Sequence, residues 1–395
     1  MNKIITKEKA LIKKLKNKTN KHVSNNKIFT LFDFIFSICF IIVLTLGFIF
    51  APKIDKKINN VQNEISNRIS IEAGVKAHFL DVGQAGCVII ELPNNKILMY
   101  DTGLETTSEK IVNYIKKNIK TRVIDYLILS HTDSDHIGGA CAILENFKIN
   151  NIVRPVVKST HTNFDESLNY ININEFSTLN EPLYANVLNK IYQENATVFV
   201  ADYKNIEQLN NVFDGDECNI EFYLPYYYTS SNMNDFSSII TITYMGKTLM
   251  LTGDATERTE KNILKNYSVP DIDFLLLAHH GSNTSSSFEF LQKTLPEYVY
   301  VSVGKDNSFN HPHTETLNKL DYLGVKYEKI YLTANCGDII LAFNGSVVEN
   351  YFNAYKIRIN LILTGIGLII LIAYIPKLKK FIKHIVKKKR KKAVK

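Results

Sequence analysis

No tryptophan occurs in the 395 residues, and the five cysteines (Cys39, Cys87, Cys141, Cys218 and Cys336) form no CxxC pair. The first absence, with the abundance of Lys, Asn and Ile, speaks to genome composition. The second excludes a zinc knuckle, and an odd, scattered set gives no disulfide framework. Cys87 and Cys141 stand in apolar surroundings and read as small core residues. Acidic residues are nearly missing from the ends: residues 1–27 carry nine lysines and one glutamate, and residues 377–395 carry eleven Lys and Arg and no acid. Long apolar runs are confined to the same regions. Residues 29–51 are apolar apart from Asp33 and a few small polar residues, and residues 359–375 are uncharged. The first run is long enough to cross a bilayer core of roughly 30 Å as a helix, and the second is at the short end for doing so.

These ends predict a basic cytoplasmic tail (1–28), a transmembrane helix (29–51), a stalk (52–75), a globular domain (76–350), a second transmembrane helix (357–376) and a second basic tail (377–395). An excess of lysine and arginine marks the cytoplasmic side. The expectation is therefore a two-pass protein of the cell membrane with both termini inside and the globular domain outside. Anionic lipid would meet the tails, and a membrane-protein partner would have spans to pack against. The tails also change the meaning of the formal +8 charge: with their own charge set aside, residues 28–376 are left at −11. A domain of that sign gains little from phosphate neutralisation by Lys and Arg.

The chain is organised around residues 127–139, L-I-L-S-H-T-D-S-D-H-I-G-G. A short β-branched run, residues 124–130, reads as a buried strand and empties into His131, Asp133, Asp135 and His136. Alternate residues of an extended loop face opposite ways, so His131 and Asp133 can serve one ion while Asp135 and His136 serve its neighbour. Before this stretch, residues 87–92 and 96–100 read as a hairpin turning at Asn94-Asn95, with Asp81 and Asp101 at strand ends beside glycine. Asp101 reads equally well as a turn-capping residue. After it, residues 239–254 read as a second hairpin delivering Asp254. Residues 271–278 form a strand ending in His279-His280-Gly281-Ser282, and residues 298–303 a strand before Asn310-His311-Pro312-His313. Strand after strand ending in His or Asp describes a site at a sheet edge. Tyr226, Tyr227 and Tyr228 form an aromatic patch suited to a substrate ring or base or to half-buried packing. His161, in the polar 159–216 region, reads as a surface residue.

In order, D-V-G-Q at Asp81, S-H-T-D-S-D-H-I-G-G at Ser130, L-T-G-D at Asp254, A-H-H-G-S at Ala278 and the N-H-P-H run at Asn310 resemble the metallo-β-lactamase fold. The branch most similar is the outer domain of the ComEC competence DNA-uptake family, over roughly residues 77–348. The resemblance implies an α/β (α+β) fold, a four-layer αββα sandwich, here flanked by two transmembrane helices. It implies up to two divalent ions, Mn or Zn. His131 and Asp133 would hold the first, Asp135, His136 and His279 the second, and Asp254 would bridge them. Asp81 would orient a ligand, and His280 is the alternative to His279.

Three departures accompany the resemblance. Asp133 stands where many members have histidine, which tilts the first position from zinc towards harder ions. No histidine between Ile137 and Leu251 supplies the usual third ligand of the first ion, and the branch carries a polar residue near residues 234–238. Two spans do not make a multi-helix DNA channel. The implied chemistry is hydrolysis of a phosphodiester by in-line attack of metal-bound hydroxide, with Asp135 and Asp254 positioning the water. His311 or His313 would bind an oxygen or protonate the leaving group, and Ser282 and Asn283 would donate to phosphate. The substrates it points to are DNA or a cell-envelope polymer such as teichoic acid, or a lipid headgroup. A degenerate module that binds metal or nucleic acid without turnover is the remaining reading.

Overall fold

The computed structural model describes residues 74–156, 181–213, 217–227 and 230–352. Both predicted spans, both basic tails, nearly all of the 52–75 stalk, His161 and Tyr228 lie outside them. Among the described residues, no helix is long and apolar enough to cross a membrane.

Six strands come first: β1 (Val75–Phe79), β2 (Val88–Glu91), β3 (Ile97–Tyr100), β4 (Val123–Ile128), β5 (Lys148–Pro155) and β6 (Thr197–Ala201). Six more follow: β7 (Asn219–Tyr223), β8 (Ile239–Tyr244), β9 (Lys247–Leu251), β10 (Phe274–Leu276), β11 (Tyr298–Val301) and β12 (Ile330–Leu332). The last two are β13 (Ile339–Asn344) and β14 (Val347–Phe352). Each set of six opens as an antiparallel meander and continues parallel. β1, β2 and β3 pair antiparallel, and β4, β5 and β6 then add in parallel. β7, β8 and β9 repeat the meander, and β10, β11 and β12 the parallel run. β13 returns to pair with β1, so the sheets run β14-β13-β1-β2-β3-β4-β5-β6 and β12-β11-β10-β9-β8-β7. The β8–β9 hairpin turns on Met245 and Gly246, both at positive φ (48° and 81°). Two such residues make the tight turn whose twist matches its flanking strands.

Strand alternation divides the apolar residues into layers. Val75, Ala77 and Phe79 point between the sheets and meet Phe274, Leu276 and Tyr300 of the other sheet. Phe79 stacks on Tyr300 at 4.3 Å. The opposite face of the first sheet, with Met99 and Leu127, is covered by helices Ser108–Tyr114, Ala140–Asn146 and Glu181–Gln193 through Ile111, Ile143 and Val187. Helices Glu257–Asn266, Phe288–Thr294 and Thr314–Tyr322 cover the second sheet, where Ile263, Phe290 and Leu320 meet Leu275 and Val299. The result is a four-layer αββα sandwich. Each fully buried side chain of this kind contributes about 1.5–3 kcal/mol.

The sheets are joined where the site forms. Tyr100, at the end of β3, donates its hydroxyl to the Ser238 carbonyl at 2.6 Å, and the Ser238 N–H donates to the Ser130 carbonyl at 3.0 Å. The His279 N–H donates to the Gly253 carbonyl at 3.0 Å. The C-terminal ends of β3, β4, β9, β10 and β11 are thereby gathered at one edge, where an open α/β sheet presents its ligands. The polar 159–216 region holds more structure than its composition suggests: β6 and the helix Ile206–Asn211 both lie in it.

Candidate metal centre

Beyond β4 the chain bends at His131 and Thr132, is extended at Asp133, and then enters a helical turn, Ser134–Ile137. That turn brings His136 back beside Asp135. From β9, Asp254 follows Gly253, a residue at φ 52° whose Cβ would stand 2.8 Å from Ser130 Oγ. Only glycine lets this strand end close on the first sheet. From β10, His279 and His280 are both left-handed, at φ 51° and 55°. Such backbone costs of order 1–3 kcal/mol per residue. It aims two neighbouring rings at one carboxylate, which an extended strand would send to opposite faces.

Asp254 is the centre, 3% exposed. Its Oδ1 lies 3.0 Å from His136 Nε2 and 3.8 Å from His280 Nε2. Asp135 Oδ2 lies 3.2 Å from His280 Nε2 and 3.9 Å from His136 Nε2. These four residues place ligand atoms within 4.8 Å of one another. Oδ2 faces the other way, 4.0 Å from His131 Nε2 and 3.6 Å from His279 Nε2, with Asp133 Oδ2 3.7 Å from His131 Nε2. One carboxylate thus separates two groups of nitrogen and oxygen atoms. His280 stands with Asp135 and His136, while His279 stands with His131 and Asp133. The two rings are not alternatives for one place, because the double left-handed turn sends one to each oxygen of Asp254.

Each ring is held by its other nitrogen. His136 Nδ1 meets Asp101 Oδ2 at 2.7 Å, His131 Nδ1 meets Ser130 Oγ at 2.9 Å, and that hydroxyl donates to Asp101 Oδ2 at 2.7 Å. His280 Nδ1 donates to the Ser302 carbonyl at 2.5 Å, and His279 Nδ1 meets Thr284 Oγ1 at 3.2 Å. Anchored Nδ1 atoms leave the Nε2 lone pairs turned inward, the arrangement of metal-ligating histidines. Gly86 permits it: a Cβ there would stand 2.8 Å from the His136 ring.

Asp101 therefore takes the ring-orienting position. Asp81 is engaged through its backbone, its N–H donating to Asp338 Oδ1 at 2.9 Å and its carbonyl accepting from Lys110 Nζ. Ser282 and Asn283 serve their own loop, for Ser282 Oγ is paired with Thr284 Oγ1 at 2.9 Å and the Asn283 N–H donates to His313 Nδ1 at 2.9 Å. His311 faces the centre, its ring 5.6 Å from that of His279. Sequence reasoning missed Gln84 and the interaction of Asn234 with His279. Gln84 sits in the quoted D-V-G-Q run, which was the available signal.

The electrostatics call for added positive charge. His131 Nε2, His136 Nε2 and Asp254 Oδ1 are buried with no hydrogen-bond partner. Burial disfavours charge on His136, but Asp254, Asp101 and Asp135 together hold it protonated well above the ordinary imidazole range. Burial likewise opposes the Asp254 charge, and His136, His280 and His131 outweigh it, keeping the carboxyl well below the usual range. For Asp135 the same contest against burial, won mainly by His136 and His280, lowers the pKa to about 2. Without a metal, protons on His136 and His280 supply the positive charge that these carboxylates draw in; a divalent cation between the rings and Asp254 would take their place. A divalent ion fits this donor set on either side of Asp254.

The family model for the metallo-beta-lactamase superfamily matches residues 80–305, more than half of the chain. The chain belongs to the metallo-beta-lactamase superfamily. Within it, the chain is 24% identical over 261 residues to ComE operon protein 3 of Bacillus subtilis, covering 61% of this chain and 30% of that protein. It is 27% identical over 247 residues to competence protein ComA of Neisseria gonorrhoeae, covering 62% of this chain and 29% of that protein. The chain therefore matches under a third of the length of these competence proteins. Among solved structures, the metallo-beta-lactamase fold protein YhfI from Bacillus subtilis superposes on 70% of this chain and 100% of its own, at 10% identity and a TM-score of 0.38.

Proposed function

We propose that this protein is a divalent-metal-dependent phosphodiesterase, anchored in the cell membrane with its catalytic domain outside, and that its substrate is a nucleic acid strand. The observation that carries the catalytic reading is the division of donors by Asp254, with His136, His280 and Asp135 on Oδ1 and His131, His279 and Asp133 on Oδ2. Divalent ions in those positions would supply Lewis acidity and water activation at neutral pH. The anchoring rests on the two apolar segments and their basic flanks.

The chain's own residues fit a phosphodiester. Gly304 donates its N–H to Gln84 Oε1 at 3.1 Å, which leaves the Gln84 amide N–H₂ facing His311 Nδ1 at 3.2 Å. His311 Nδ1 must therefore accept, and its proton sits on Nε2. Burial, with His279, His280 and His313 nearby, lowers its pKa to about 4. At neutral pH His311 is thus an uncharged donor, suited to holding a non-bridging oxygen. Phe309, 61% exposed, stacks on this ring at 5.6 Å. An exposed ring beside such a donor suits a substrate with a flat base next to its phosphate. The similarity to competence proteins points the same way.

The test uses the full chain with Mn²⁺ or Zn²⁺, linear DNA, a small chromogenic phosphodiester, and an Asp254→Ala control. Loss of DNA that the control abolishes is the expected result. Turnover of the small diester with DNA intact would move the substrate to teichoic-acid-like or lipid headgroup diesters, which the −11 charge of residues 28–376 favours. Absence of turnover with less than one ion per chain would overturn the enzyme reading in favour of a binding module.

A further inference from the structure

The two sides of Asp254 are not equally furnished. On the Oδ1 side, Asp135, His136 and His280 converge with the carboxylate into one tight group. On the Oδ2 side, His131, Asp133 and His279 bring no fourth His, Asp, Glu or Cys among the described residues. Asn234 reaches the same place. It is 7% exposed, its Nδ2 lies 3.5 Å from His279 Nε2, and its Oδ1 is buried without a hydrogen-bond partner. A buried amide oxygen with no partner has lost its hydration without return, which a cation beside it would offset. The two ends of the amide are isosteric, so a half-turn about χ2 presents either one to His279.

The segment holding Asn234 is built for fixed placement. The Asn234 N–H donates to Asn232 Oδ1 at 3.1 Å, and its carbonyl accepts from the Ser237 N–H at 3.1 Å. The neighbouring Asp235 is 5% exposed. It accepts from Ser230 Oγ at 2.5 Å, from Arg258 Nη1 at 2.8 Å and from Thr256 Oγ1. Its carbonyl takes the Thr259 hydroxyl at 2.8 Å and the Tyr227 hydroxyl at 2.9 Å. Five partners clamp a residue whose side chain faces away from the centre. Their structural effect falls on the residue before it.

We infer that the Asn234 amide oxygen is a metal ligand on the Oδ2 side of Asp254, completing a set with His131, Asp133 and His279. This rests on the metal-dependent reading above. It adds that the two positions differ in kind. With Asp133, Asn234 and Asp254 Oδ2, the first position is oxygen-rich and selects hard ions such as Mn²⁺ over Zn²⁺. Exchanging the amide for imidazole would reverse that preference.

The experiment titrates Mn²⁺ into metal-free full-length protein by calorimetry and records electron paramagnetic resonance, for wild type, Asn234→Ala, Asn234→Asp and Asn234→His. Expected for wild type are two ions per chain and the spectrum of a spin-coupled pair. Asn234→Ala should weaken one of the two sites at least tenfold, leave the other unchanged, and give the six-line signal of a lone ion. Asn234→Asp should restore both, showing that the loss is not misfolding. Asn234→His should favour Zn²⁺ over Mn²⁺ at that site by a similar factor. Two Mn²⁺ bound to Asn234→Ala with wild-type affinities would overturn the assignment while leaving the hydrolase reading intact. Wild-type protein that binds no ion would overturn both.

Discussion

The two halves of the sandwich reach the same carboxylate by different means. The first half delivers His131, Asp133, Asp135 and His136 from a single loop after β4. A bend at His131 and Thr132 and one helical turn set their directions. The second half delivers Asp254 from β9, and His279 and His280 from β10. It aims them with backbone that only its surroundings hold in place, two consecutive histidines at positive φ followed by Gly281 at 84°. A ligand set that follows from local periodicity is visible in a string of letters. One that follows from strain and strand closure becomes visible only when the sheets are assembled.

Replacing the residue that both halves share should have the largest effect. Asp254→Ala is expected to lower metal-dependent turnover of a small phosphodiester by about 10³-fold or more, equivalent to several kcal/mol of barrier. It should also reduce bound metal as measured by elemental analysis. An Asp254→Ala protein retaining two ions would show that the two positions do not share this carboxylate. Breaking the second half alone calls for Gly281→Ala. The added Cβ would stand 2.5 Å from Pro312 Cβ, at a φ that L-residues resist. Left-handed strain of about 1–2 kcal/mol and overpacking of about 1–3 kcal/mol should both appear in chemical denaturation.

The first half is broken more gently through its orienting carboxylate. Asp101→Asn leaves the loop in place but alters the acceptor for His136 Nδ1 and the Ser130 hydroxyl. Metal affinity should fall about 10–100-fold by chelator competition, with little change in melting temperature. A large fall in melting temperature instead would make Asp101 a fold residue like any turn-capping aspartate.

The smallest effect is a pH dependence. The folded pKa of His311 is about 4, against an ordinary value of 6.5. Between those values the unfolded chain holds the extra proton, so stability rises with pH across that window and levels off above it. In chelator-treated protein, His311→Gln should flatten that rise. An unchanged profile would mean that other groups set it.

Much of the fold was legible because its strands are short apolar runs punctuated by Asn, Gly and Asp: β2, β3, β8, β9, β10 and β11 fall within the predicted segments, and β4 begins one residue before its own. The return of β13 to β1 was not legible, since that pairing joins the two ends of the domain and leaves no local mark. In the site, the His131–His136 spacing and Asp254 were readable. The sorting of His279 from His280 was not, because ring direction there depends on two left-handed residues. Asp101 was ambiguous for a similar reason: an aspartate after a strand reads as a turn until His136 is found against it. Gln84 carries an amide, which sequence patterns do not distinguish from a surface polar residue, and within residues 234–238 the sequence did not single out Asn234.

The central claim is that Asp254 divides two metal positions, each with ligands from both halves. Anomalous diffraction from crystals of the protein grown with Mn²⁺ tests it most directly. Two peaks about 4 Å apart, one beside each oxygen of Asp254, are the expected result. The peak on Oδ1 should have Asp135, His136 and His280 as neighbours, and the peak on Oδ2 His131, Asp133 and His279. No peak at Asp254, or a single peak shared by both groups of residues, would contradict the account.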